Sequence, residues 1–320
     1  MLPLQRNPHP DVPATLLAGR QAMRRQFGLV RDEILRVLRG RDAVVDLALW
    51  TLLAQGHILL EGYHGLGKTT LAKALAKVMG LPERRVQFTS DLLPGDITGS
   101  SVFDPSRQAF VFHPGPLFTH VFLADEINRG SPRTQSALLE AMAERQVSVD
   151  GTTTALARPF LVLATQNPSE STGVFPLPES QMDRFMVRLP MLPPTDRDEI
   201  ALLLGQAPDV ARPIWSADGL LAAQTDVARV HVAPAVAGYV QRLLTATRHD
   251  DGGLSTRAGL AVLAVARARA WSRQRDFVEP DDVREVFEPV AAHRMGREGV
   301  ARARAALAET PLEAEGAGVC

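Results

Sequence analysis

Residues 61–70 read EGYHGLGKTT and fit the pattern G-x-x-x-x-G-K-[ST], with Gly62, Gly67, Lys68 and Thr69 in the fixed places. The run ahead of it, His57-Ile58-Leu59-Leu60, is short and apolar, as a buried parallel strand is. The run behind it, LAKALAKVMG, has helical spacing and stops at Gly80. Strand, glycine-rich loop and helix in that order form the setting a phosphate-binding loop needs. Glycines let backbone N–H groups turn inward around an anion, and the helix N-terminus adds partial positive charge. The spacing therefore places Gly62, His64, Gly65, Leu66, Gly67, Lys68, Thr69 and Thr70 around a nucleotide's phosphates. Lys68 would reach the β- and γ-phosphates, and the Thr69 hydroxyl would ligate Mg²⁺. A chance glycine turn before a helix is the competing reading; the residues downstream weigh against it.

Residues 120–127, HVFLADEI, form an apolar strand ending in two carboxylates. Open α/β sheets place ligands at the carboxyl ends of their strands, where the phosphate loop also lies. Asp125 is expected to hold Mg²⁺, directly or through water, and Glu126 to polarise the water that attacks the γ-phosphate. The plainer alternative is a helix start decorated with acids. A further buried-type strand, Phe160 to Thr165, runs into Gln166-Asn167-Pro168. The Asn167 amide is placed to orient that water or touch the γ-phosphate, although Asn-Pro alone is a turn signal. Val86 to Thr89 and Met186 to Leu189 read as two more strands. A helix is expected from Pro132 to Arg145 with Ser131 as its cap, and a hairpin around Asp150-Gly151. Residues 90–118 are too long and polar for a simple connection, with Ala109 to Phe112 a short strand inside them. Strands separated by helices predict an α/β fold with a doubly wound, mainly parallel sheet.

The 320 residues suit two domains, and 45% apolar content provides an ordinary core. With 35 basic and 36 acidic residues there is no global electrostatic case for nucleic acid. The one cysteine is Cys320, so no intrachain disulfide forms. The opening MLPLQRNPHPDVP lacks a signal-peptide core, and no apolar stretch of about 18 residues suggests membrane insertion, so a cytoplasmic location is expected. Residues 1–17 read as a flexible arm, followed by helices from Leu17 to Leu38 and, capped by Asp42, from Ala43 to Ala54. The nucleotide-binding domain spans 18–192. After Pro193-Pro194 the pattern becomes helical, with four helices expected over 215–230, 234–248, 256–274 and 280–295. That predicts a small all-α domain over 195–297, then a tail over 298–320 that reads as one helix before losing pattern.

Together, GYHGLGKT, the strand ending Asp125-Glu126, ATQNP (164–168) and MDRF (182–185) resemble an AAA+ ATPase. QFTSDLLPGDITG (87–99), DEINRGSPRTQSALLEAMAERQVSVDG (125–151) and FPLPESQMDRF (175–185) resemble the MoxR branch, and the likeness spans roughly residues 25–295. The resemblance implies a P-loop domain followed by a helical lid. It implies ATP hydrolysis in a homo-oligomeric ring, usually a hexamer, and a chaperone-like role on partners with a von Willebrand factor A domain. It makes Asn167 sensor 1, Arg184 an arginine finger acting on a neighbour, and Arg257 a sensor 2 that contacts the nucleotide from the lid; Thr256 stands where relatives often carry proline. Residues 90–118 become a helix-2 insert and 146–158 the hairpin before sensor 1, both on the pore side of the ring. Arg129 is either a contact to a neighbour or to the water-holding network, or a plain helix-start residue. Near adenine, relatives often have Gly-Gln where this chain has Gly40-Arg41. Other AAA+ motors remain alternatives: a metal-inserting chelatase subunit, which shares these insertions, or a nucleic-acid motor.

Overall fold

The computed structural model describes residues 14–63, 65–167, 173–206, 210–248 and 253–311. The expected arm up to residue 13, His64 and the last nine residues of the tail lie outside them. Helices α1 (Ala14–Val37) and α2 (Asp42–Leu53) lead into strand β1 (Ile58–Glu61), helix α3 (Lys68–Val78) and strand β2 (Glu83–Gln87). A short helix α4 (Pro94–Thr98) and the antiparallel hairpin β3 (Gly99–Asp104) and β4 (Ala109–Pro114) follow. Then come β5 (Val121–Asp125), α5 (Pro132–Glu144), the hairpin β6 (Gln146–Val149) and β7 (Thr152–Ala155), β8 (Leu161–Gln166), α6 (Glu179–Met182) and β9 (Val187–Pro190). Five strands pair in parallel in the order β2-β5-β8-β1-β9.

The apolar runs are strands because both of their faces are covered. Alternate residues enter different cores. Ile58, Leu60, Val121, Leu123, Leu161 and Leu163 pack towards one. Leu59, Phe122, Ala124, Val162 and Ala164 pack towards the other, with Phe88, Leu138 and Phe185. A one-residue slip of any central strand would exchange these faces.

Several boundaries moved. The strands begin or end one to three residues from their expected positions; β1 starts at Ile58 and β2 already at Glu83. Asp42 is not a cap: Arg41 precedes the helix without a capping hydrogen bond, and Asp42 occupies the first turn, where the helix dipole favours an acid. Its carboxylate accepts from Arg31 Nη2 at 3.1 Å. Ser131 does cap α5, accepting from Thr134 N at 3.3 Å. Asp150 and Gly151, at φ 49° and 77°, make the expected hairpin turn.

The C-terminal part is all helical: α7 (Asp196–Leu203), α8 (Ala217–Ala228), α9 (Pro234–Ala246), α10 (Thr256–Ser272), α11 (Pro280–Ala291) and α12 (Gly299–Glu309). Ala303 and Ala306 of α12 are buried. Helices α8 to α12 share one apolar core with α1, α2 and α3. Beside that core, Trp271 Nε1 donates to Asp226 at 2.6 Å, and Arg20 and Arg24 of α1 pair with Asp226 and Asp276 at 2.6 and 2.5 Å. Among the described residues, no helix is long and apolar enough to cross a membrane.

Candidate functional site

The phosphate loop leaves the carboxyl end of β1 and enters α3. Gly67 caps α3 at φ 86°, which a side chain rarely tolerates. A Cβ on Gly62 would meet the Met191 carbonyl oxygen at 2.7 Å, so the backbone after β9 closes against the loop. Lys68 Nζ donates to the Gly62 carbonyl at 2.5 Å, which folds its ammonium back over the loop. Residues Gly65 to Thr70 line a cavity of about 330 Å³ with Asp125 and Glu126 from the end of β5.

Asp125 is 5% exposed, and its Oδ1 accepts from Thr165 Oγ1 at 3.2 Å. Its Oδ2 takes Arg85 Nε at 2.5 Å. Glu126 sits in the left-handed region at φ 53°, uncommon for glutamate. Its N–H donates to Thr165 Oγ1 at 2.9 Å, and its Oε2 meets Arg129 Nε at 2.6 Å. Thr165 thus holds the Asp125 carboxylate and the Glu126 backbone. Asn167 is buried and follows Gln166, whose register partner is Glu61, so it sits beside the start of the loop. The Thr69 hydroxyl and Asp125 carboxylate are hard oxygen donors on one cavity, which fits a small divalent cation that takes few protein ligands and keeps several waters.

On the other side of Gly65–Gly67 a cavity of about 200 Å³ is lined by Val37, Leu38, Arg39, Arg41, Pro194 and Leu202. Its apolar walls suit a planar base. Arg41, 8% exposed, donates to the Leu66 carbonyl at 3.3 Å, so the departure from Gly-Gln braces the loop.

The chain matches the model of the "ATPase family associated with various cellular activities (AAA)" over residues 57–187. It also matches an AAA lid domain over 251–312. It is 41% identical to Chaperone MoxR1 of Mycobacterium tuberculosis over 82% of this chain and 74% of that one. It is 33% identical to Protein MoxR of Paracoccus denitrificans, over 81% and 85%. The chain belongs to the MoxR family of AAA+ ATPases. A crystal structure from Cytophaga hutchinsonii, provisionally described as an ATPase, superposes with a TM-score of 0.81 at 35% identity, over 88% of this chain and 90% of that one. A nucleotide is the ligand that family membership implies for the cavity.

In this MoxR-type chain the two arginines taken from the resemblance lie elsewhere. Met186 N–H donates to the His57 carbonyl, and Val187 pairs with Ile58, so the turn carrying Arg184 is at the amino end of β1. The phosphate loop begins at the opposite end, five residue steps from His57 to Gly62, or roughly 16 Å at about 3.3 Å per residue. Arg184 is exposed there. Arg257, at the start of α10, stands with it: its Nη1 is 3.6 Å from Asp183 Oδ2. The structure therefore does not bring Arg257 to the cavity of its own chain, because the lid packs its α10 start against the amino end of the sheet.

Sequence reasoning missed Arg85, Gln87 and Thr165, all of which line the cavity. Arg85 and Gln87 share one face of β2 by the two-residue period. Starting that strand at Val86 hid the pair. Thr165 carried a signal, a hydroxyl closing an otherwise apolar run.

Proposed function

We propose that this chain hydrolyses ATP with Mg²⁺ at sites completed between identical subunits of a ring, and spends the turnover on remodelling a partner protein. One observation carries the reading. Lys68, Thr69, Asp125 and Glu126 converge on one cavity, while Arg184 is exposed at the other end of the same sheet. A subunit packed edge to face on the next can offer Arg184, and with it Arg257, to a cavity it does not own.

In that arrangement Lys68 leaves the Gly62 carbonyl for the β- and γ-phosphates, and the loop amides hold the rest of the chain. Bound Mg²⁺, held by Thr69 and Asp125, would neutralise charge on the β- and γ-oxygens. Glu126, its backbone fixed by Thr165, polarises the attacking water. Arg129 keeps its carboxylate oriented, and Asn167 positions the water from the end of β8. Arg184 of a neighbour stabilises the charge of the transferring phosphoryl group. The printed name of the Mycobacterium tuberculosis relative, a chaperone, supports a protein client; a von Willebrand factor A domain is the client class that the resemblance implies.

Replacing Glu126 with Gln tests the chemistry. ATP affinity should stay within about threefold while kcat falls by about 10² or more, the scale of a lost general base. Turnover close to wild type would remove Glu126 from the mechanism.

A further inference from the structure

The turn that carries Arg184 is gripped by the end of the lid. After α11 the chain makes a single 3-10 turn, Ala292 to Arg294, against the segment 183–186. The Arg294 side chain is 6% exposed, and its guanidinium has five N–H donors. All five are engaged. Nε donates to Asp183 Oδ1 at 2.6 Å. Nη2 donates to the Asp183 carbonyl at 3.4 Å and to the Phe185 carbonyl at 2.9 Å. Nη1 donates to the Met186 carbonyl at 3.2 Å and to the Val290 carbonyl one turn back on α11. Four of the five acceptors lie on Asp183, Phe185 and Met186, and the two that Nη2 binds flank Arg184 on either side.

His293 adds a second hold. It is 3% exposed, and its Nε2 donates to the Phe185 carbonyl at 2.9 Å. Asp183 Oδ2 faces Arg257 of α10, so the start of α10 and the 3-10 turn after α11 meet at one carboxylate. Phe185 is fully buried and anchors the turn from below. A surface arginine on an unsupported loop would need none of this.

We propose that His293 and Arg294 are positioning residues that aim Arg184 at the nucleotide of the next subunit, so that the lid of one subunit sets the hydrolysis rate of its neighbour. This rests on the reading of Arg184 as acting between subunits. Any lid displacement that carries the 3-10 turn away must drag the carbonyls on both sides of Arg184 or break five hydrogen bonds, four from Arg294 and one from His293. Either shifts the guanidinium, and misplacement by about 1 Å costs on the order of 10²-fold in rate.

Subunit mixing of the full-length protein tests it. Arg294→Gln should lower kcat by about 10- to 100-fold with KM for ATP little changed. Arg294→Lys should remain depressed, because an ammonium keeps the charge but not the fork. Glu126→Gln subunits lack turnover but carry an intact Arg184 turn. Mixed with Arg294→Gln subunits, which keep an intact cavity, they should restore activity well above the sum of the two alone. A mixture no better than that sum, when Arg184→Ala mixed with Glu126→Gln does recover, overturns the role of Arg294 and leaves the reading between subunits standing. Full activity of Arg184→Ala alone overturns that underlying reading instead. If Arg294→Gln does not fold, Asp183→Asn, at a partly exposed residue, goes through the same mixing with the same expectation.

Discussion

At the residue scale, the cavity is governed by a few charges. Arg85 holds the Asp125 carboxylate that Mg²⁺ would need, and it is half exposed, so it can swing away. Removing that cation should ease metal entry. Arg85→Ala should lower the Mg²⁺ concentration for half-maximal ATPase by about fivefold, or ~1 kcal/mol of like-charge repulsion. An unchanged Mg²⁺ midpoint would show that the pair has no bearing on the metal. Two histidines make a separate prediction about stability. Burial first, and then the neighbouring Arg145, push His57 down to about 4 despite its bond to the Met142 carbonyl. Burial and Arg294 push His293 down to about 3. Both pKa values are lower folded than unfolded, so below about 6.5 the unfolded chain binds more protons. Stability is then full at neutral pH and falls as pH drops from about 6.5 towards 4, by ~1.4 kcal/mol per pH unit for each histidine. Denaturant unfolding between pH 7 and 5 should show this, and His57→Gln should remove about one proton's share of the slope. Lys68, Thr69, Asp125 and Glu126 were legible at this scale because a phosphate loop and a strand ending in two acids keep fixed local spacing. Arg85 and Thr165 reach the cavity only through the pairing of β2, β5 and β8, which no local pattern encodes.

At the element scale, the sheet was legible because its strands are buried on both faces and read as uninterrupted apolar runs. The edge strand β2 was read short because its first three residues, Glu83, Arg84 and Arg85, are charged and exposed. Within 90–118 only one strand was foreseen. Its partner β3, GSSVFD, has little alternation of burial to betray it, and its hairpin leaves Phe103 and Phe110 half or more exposed, stacked edge to face at 5.5 Å. Of the two expected side-chain caps, Ser131 holds its helix start and Asp42 does not. Ser131→Ala should cost about 1 kcal/mol through the lost bond to Thr134 N. A change below about 0.3 kcal/mol in urea unfolding would mean that Pro132 at the first helical position already fixes that start.

At the scale of the whole molecule, the lid is not an appendage. It shares its apolar core with α1, α2 and α3, and its α10 start and final turn converge on Asp183. Helices α8 to α11 were legible as periodicity, but the short α7 and the docking of the lid were not. The resemblance gave Arg257 a nucleotide contact without saying on which subunit, and packing sets it beside Arg184 at the amino end of the sheet. The central claim is that one subunit owns the cavity and its neighbour supplies the arginine. The measurement that tests it most directly is ATPase specific activity against protein concentration, with mass by light scattering, for wild type and Arg184→Ala. The account predicts activity that rises with concentration alongside a ring-sized mass, and a loss of about 10³-fold or more in the variant that still assembles. Constant specific activity from a monomer, with Arg184→Ala unimpaired, would contradict it.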